Sequence, residues 1–127
     1  MIVYACPDLI FASRIRAATD ALGYVARPAR DAAMLQKRLD RIDDGKANQA
    51  VTLVIVDLGL GDAGLDMIAQ VREHDALLPV IAYGSHVLTD LLAAARQRGA
   101  THVTTNGAFT NNLDKLLQQF MPPGSSQ

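Results

Sequence analysis

Val51–Asp57 reads VTLVIVD, and the fold follows from this stretch. Apart from Thr52 it is apolar without alternation until Asp57 closes it. A strand that is apolar on both faces must be covered on both, and helices on each side of a central parallel strand provide that cover. The polar stretch Asp43–Ala50, DDGKANQA, precedes it as a loop, and the glycine-bearing LGLGDAG follows it.

Working outward, short β-branched runs alternate with stretches of helical spacing, the mark of an open α/β fold with a parallel sheet. Ile2–Ala5 is the first strand. Phe11, Ile15, Ala18 and Leu22 then recur at i, i+4, i+7 and i+11, and Gly23 closes that helix. Tyr24–Ala26 is the second strand. Asp31 starts a second helix with the stripe Leu35, Leu39 and Ile42. A third helix runs from about Gly64 to His74, and Pro79 opens the fourth strand, VIAY. Leu88, Leu91, Leu92 and Ala95 give the fourth helix its buried face, and Gly99 stops it. HVTT, from His102, is the fifth strand, and Leu113, Leu116, Leu117 and Phe120 stripe the fifth helix. Five strands and five helices wound in two directions predict a flavodoxin-like, doubly wound sheet of order 2-1-3-4-5. Residues 1–121 make one domain, and 122–127 read as a tail or linker.

Composition sets the limits. Half of the 127 residues are apolar, and 12 Lys and Arg stand against 13 Asp and Glu. A domain of this size buries roughly two-thirds of its unfolded surface, so folding needs no metal or disulfide. A net charge of −1 gives no basic stripe for nucleic acid. The single cysteine forms no internal bridge, the start MIVYACPDLI lacks a signal-peptide pattern, and a cytoplasmic protein is expected. The longest apolar run, VTLVIVDLGL, is far short of the roughly 18 residues a membrane span needs.

In such sheets the functional crevice lies beyond the carboxyl ends of the strands, where the winding reverses, here between the first and third strands. Asp57 therefore faces Cys6, Pro7 and Asp8. Cys6 precedes a helix N-terminus, where the dipole favours a thiolate, yet a lone strand-end cysteine is more often a small buried hydrophobe. His74, His86 and His102 are too scattered for metal-ligand spacing. Gly59, Gly61 and Gly64 match G-x-G-x-x-G, but no acidic residue stands about 20 positions on, so a flexible turn is expected. A cobalamin site would want a histidine just after Asp57, where Leu58, Gly59 and Leu60 stand.

These features resemble the receiver domains of bacterial two-component response regulators over residues 1 to about 121. The resemblance rests on the strand ending in Asp57, the loop GDAG, LLPVIAYGS, RGATHV and the final amphipathic helix. It implies that Asp57 occupies the position that accepts a phosphoryl group from a kinase phosphohistidine. Such transfer needs charge neutralisation by a magnesium ion and a lysine. The two metal-holding acidic positions fall on Cys6 and Pro7, with Asp8 one residue late. The lysine falls on Asn106 and the proline after it on Gly107. The switch hydroxyl falls on Gly84, with Ser85 next, and the aromatic switch on Val103.

The resemblance thus implies an atypical receiver, not itself an enzyme, that acts by protein–protein contact with a histidine kinase or effector domain. A homodimer through the fourth helix, fifth strand and fifth helix is a further expectation, with Arg96, Arg98, Asp114 and Lys115 on that face. Two alternatives stay open: a slow phosphoacceptor at Asp57, and a small-ligand module using volume freed at Cys6, Pro7 and Gly84. No cofactor is expected beyond weak magnesium held by Asp57, Asp8 and the Gly59 carbonyl. Calorimetry with magnesium checks this: binding weaker than low-millimolar is expected, and Cys6→Asp with Pro7→Asp should tighten it.

Overall fold

The buried strand at residues 53–57 organises the molecule. The computed structural model describes residues 1–43, 46–47 and 49–121. Five strands, β1 (Ile2–Ala5), β2 (Ala26–Pro28), β3 (Leu53–Asp57), β4 (Val80–Gly84) and β5 (His102–Thr105), form one parallel sheet in the order β2-β1-β3-β4-β5. This is the predicted 2-1-3-4-5 order of a flavodoxin-like fold. All five β3 residues are buried. Six helices surround the sheet: α1 (Leu9–Leu22), α2 (Ala32–Leu39), α3 (Asp62–His74), α4 (Thr89–Gln97), α5 (Asn106–Asn111) and α6 (Leu113–Phe120).

Alternation along the strands divides the core in two. Val54, Val56, Val80 and Ala82 point to one side, where Leu35, Ile68, Val71 and Ala95 of α2, α3 and α4 cover them. Leu53, Ile55, Ile81 and Tyr83 point to the other, against Ile15 of α1, Phe109 of α5 and Leu117 of α6. The helix ends obey local chemistry. The Asp8 carboxylate accepts from the Ile10 and Phe11 amides at the start of α1, and Gly23, at φ 80°, ends that helix in the left-handed region open to glycine. Asp31 caps α2 by accepting from the Met34 amide.

Several element boundaries differ from the sequence expectation. The second strand is Ala26–Pro28 rather than Tyr24–Ala26, because Val25 uses its carbonyl on the Ile2 amide and pairing with β1 runs on from there. Pro28 is tolerated because β2 lies at the edge of the sheet. The third strand begins at Leu53, not Val51, and the third helix begins at Asp62, two residues before Gly64. Ile42 does not belong to the buried face of α2. It is 48% exposed and opens a short antiparallel ribbon, Ile42–Asp43 with Lys46–Ala47, inside the stretch expected to be loop. The C-terminal helix is α6, and the extra helix α5 precedes it, capped by the Thr105 hydroxyl on the Ala108 amide. The expected tail at 122–127 lies outside the described residues.

A buried aliphatic in β3 and an exposed one in the ribbon should behave oppositely. Ile55→Ala should cost about 2–5 kcal/mol of stability, whereas Ile42→Ala should stay within about 0.5 kcal/mol; denaturant unfolding of both variants checks the contrast.

Candidate functional site

β1, β3 and β4 end side by side. The register sets Ala5 against Val56 and Asp57 against Tyr83, so residue 6 follows β1 directly beside Asp57. By strand alternation Cys6, Asp57 and Tyr83 all lie on the α1 and α5 side of the sheet.

Their contacts form one chain. The Tyr83 hydroxyl donates to Cys6 Sγ at 2.8 Å. Cys6 Sγ lies 3.9 Å from Asp57 Oδ2 and 3.3 Å from the Asp8 carbonyl oxygen. The Gly59 amide donates to Asp57 Oδ1 at 2.8 Å, a tight turn in which a Cβ at Gly59 would stand 3.0 Å from that same oxygen. Tyr83 itself is 1% exposed. Its ring stacks on Phe109 at 4.1 Å and 7°, and on Phe11 at 5.3 Å and 29°.

Burial dominates the electrostatics. It pushes the Asp57 carboxyl above the ordinary aspartate range, against the opposing pull of the Gly59 amide. The Asp8 charge pushes the same way. Burial likewise raises the Cys6 thiol and the Tyr83 phenol. Among the described residues no Lys or Arg pairs with Asp57. The buried carboxylate is thus held by an amide, a thiol and a phenol, all neutral.

Magnesium finds few of its donors among these side chains. The ion demands near-octahedral oxygen ligation, and no group of three His, Cys, Asp or Glu that could hold a metal occurs among the described residues. Asp8 spends Oδ1 on the Ile10 and Phe11 amides at 2.8 and 3.2 Å. The weak cation site expected from Asp57, Asp8 and Gly59 thus has two carboxylates close enough for the Asp8 charge to act on Asp57, one of them already serving as a helix cap. Cys6 is half-buried and bonded, so the reading of it as a plain buried hydrophobe needs correction.

The remaining positions separate. Pro7 is exposed. At Gly84 a Cβ would meet Leu58 Cβ at 3.0 Å, and Leu58 is fully buried. Leu58 fills the space expected to be free there. Beside Cys6 and Pro7 a cavity of about 120 Å³ lies between Pro28, Arg30 and Leu60, below the roughly 300 Å³ of ordinary ligand pockets. Ser85 turns inward on its own loop, its hydroxyl accepting from the Val87 amide at 3.4 Å. Val103 packs on the α2–α4 side of the sheet, opposite Tyr83. Asn106 is the first residue of α5, followed by exposed Gly107. Tyr83 and Leu58 are the site residues that sequence reasoning missed. The signal for Tyr83 was a phenol at the last-but-one position of a strand otherwise built of Val, Ile, Ala and Gly.

Asp57 binds a proton more tightly folded than unfolded, so its stabilising contribution is complete below the unfolded value and lost as pH rises through the folded one. At neutral pH the charged form is the costly one. Asp57→Asn should therefore raise the melting temperature by a few degrees at pH 7, and the gain should shrink as the pH is lowered toward the carboxylate range. A clear fall in melting temperature at pH 7 would contradict this.

No protein-family model matches the sequence, and no curated protein does. Solved structures are similar. The receiver domain of NtrX from Brucella abortus superposes with a TM-score of 0.77 at 19% identity, covering 94% of this chain and 96% of that one. A response regulator from Thermotoga maritima gives 0.75 at 18% identity, with 94% of each chain covered. The phosphorylated cyanobacterial phytochrome response regulator RcpA gives 0.77 at 13% identity, over 94% and 91%. Against a longer NtrX chain the match spans 26% of its length. The chain has the fold of response-regulator receiver domains.

Proposed function

We propose that this chain is a receiver-like signalling domain that works by binding other proteins, with little or no magnesium-dependent phosphorylation. One observation carries the reading: the carboxylate at the acceptor position is held by the Gly59 amide and lies beside the Cys6 thiol, and among the described residues no Lys or Arg pairs with it. Phosphoryl transfer to a carboxylate brings negative groups together, and neutral donors do little to offset that repulsion. Neither Pro7 nor Asn106 supplies the missing charge.

Output follows from the same losses. Gly84 offers no hydroxyl, Leu58 occupies the space beside it, and Val103 is not aromatic. A partner face at α4, β5 and α6 would then be read constitutively. On that face Arg96, Asp114 and Lys115 are exposed, whereas Arg98 is engaged with Asp66 of α3 at 3.4 Å. Such mixed charges suit pairing with a histidine kinase, an effector domain or a second copy of the chain. Among the described residues no helix is long and apolar enough to cross a membrane. A cytoplasmic, non-enzymatic role without direct nucleic-acid contact completes the proposal.

Incubation with acetyl phosphate and magnesium, followed by intact-mass measurement, tests it. No phosphate adduct is expected, and an adduct lost in Asp57→Asn would favour the slow phosphoacceptor instead. For a partner found by pull-down, affinity should be unchanged by Asp57→Asn or Asp57→Glu and weakened by Arg96→Glu or Lys115→Glu.

A further inference from the structure

We infer that Tyr83 is a positioning residue that ties the state of the Asp57–Cys6 pair to helices α1 and α5, on the opposite side of the sheet from α4. The inference rests on the three strand ends and goes beyond the proposed function, since it holds whether or not Asp57 accepts a phosphoryl group.

Each link is a contact. The Asp57 carboxylate lies 3.9 Å from Cys6 Sγ, so its charge bears on where the thiol points its single proton. That sulfur accepts the Tyr83 hydroxyl at 2.8 Å, and the same phenol, its ring otherwise enclosed, also bears on the Asp57 carboxylate. The ring is clamped between Phe11 of α1 and Phe109 of α5. Interiors are packed near crystal density, so a displaced ring has to move one of its two neighbours. Outside the stack, the Arg14 guanidinium lies 5.9 Å over the Phe11 ring and donates to the Thr110 hydroxyl at 3.4 Å. A shift of either helix is therefore expressed at the surface where α1 meets α5.

The other side of the sheet offers no comparable chain. Gly84 has no side chain, Leu58 packs against it, and Val103 sits among the aliphatics under α4. Change at Asp57 should consequently be felt at Phe11, Phe109 and Thr110 and leave Leu91 and Val103 alone.

Amide NMR shift maps of Asp57→Asn against the unmodified chain test this, repeated in a Tyr83→Phe background, which keeps the stacked ring and removes only the hydroxyl. The expected result is a perturbation reaching Phe109 and Thr110 that is at least halved in Tyr83→Phe. Cys6→Ala, which removes the sulfur acceptor and leaves the phenol facing the carboxylate, should also reduce it, by less than Tyr83→Phe. The inference is overturned if the perturbation at Phe109 and Thr110 persists in full in both backgrounds, or if the Asp57→Asn map runs instead to Leu91 and Val103. Phosphate uptake, measured separately, does not bear on either outcome.

Discussion

Burial of β3 on both faces is the constraint on which the rest of the molecule depends. Five consecutive buried residues, the first four without solvent contact, force β1 and β4 to pair on either edge and helices to cover both sides. Parallel pairing then brings the carboxyl ends of β1, β3 and β4 to one crest, which is why Cys6, Asp57 and Tyr83 become neighbours although 77 positions separate the first from the last. A single geometric demand thus makes both the core and the site.

The crest poses a second problem, since a carboxylate taken partly out of water is costly unless paired. A cation and a lysine are the usual remedy in the receivers this chain resembles. Here the chain uses its own neutral groups, the Gly59 amide foremost. The arrangement keeps Asp57 in place without compensating its charge fully, which accounts for the direction of its proton affinity. On the proposed reading, the same packing leaves a switch no room. Leu58 beside Gly84 fills one end, and the Phe11–Tyr83–Phe109 stack fills the other.

Much of this was legible in the sequence because its signals are local. VTLVIVD announces a central strand by lacking alternation, and the helix stripes and the caps at Gly23 and Asp31 follow the 3.6-residue period and simple hydrogen-bond chemistry. The strand order followed from connection rules. What failed to show was set by tertiary partners. The register of edge strand β2 depends on which carbonyl Ile2 takes, and Ile42 left the α2 stripe because a ribbon claimed its backbone. At the site, Asp57 and its neighbours Cys6, Pro7 and Asp8 could be placed by counting, but a Tyr83 hydroxyl reaching across two strands has no one-dimensional signature. Nor does the plugging of position 84 by Leu58, from the turn after the neighbouring strand β3.

Titration of the Asp57 side-chain carboxyl carbon by NMR, with and without magnesium, tests most directly whether the chain's own neutral groups hold this carboxylate. The midpoint should lie above that of an ordinary aspartate and stay unmoved when magnesium is added. A midpoint below the ordinary value, or one that falls as magnesium is added, would show that a cation belongs at the crest and contradict the arrangement described.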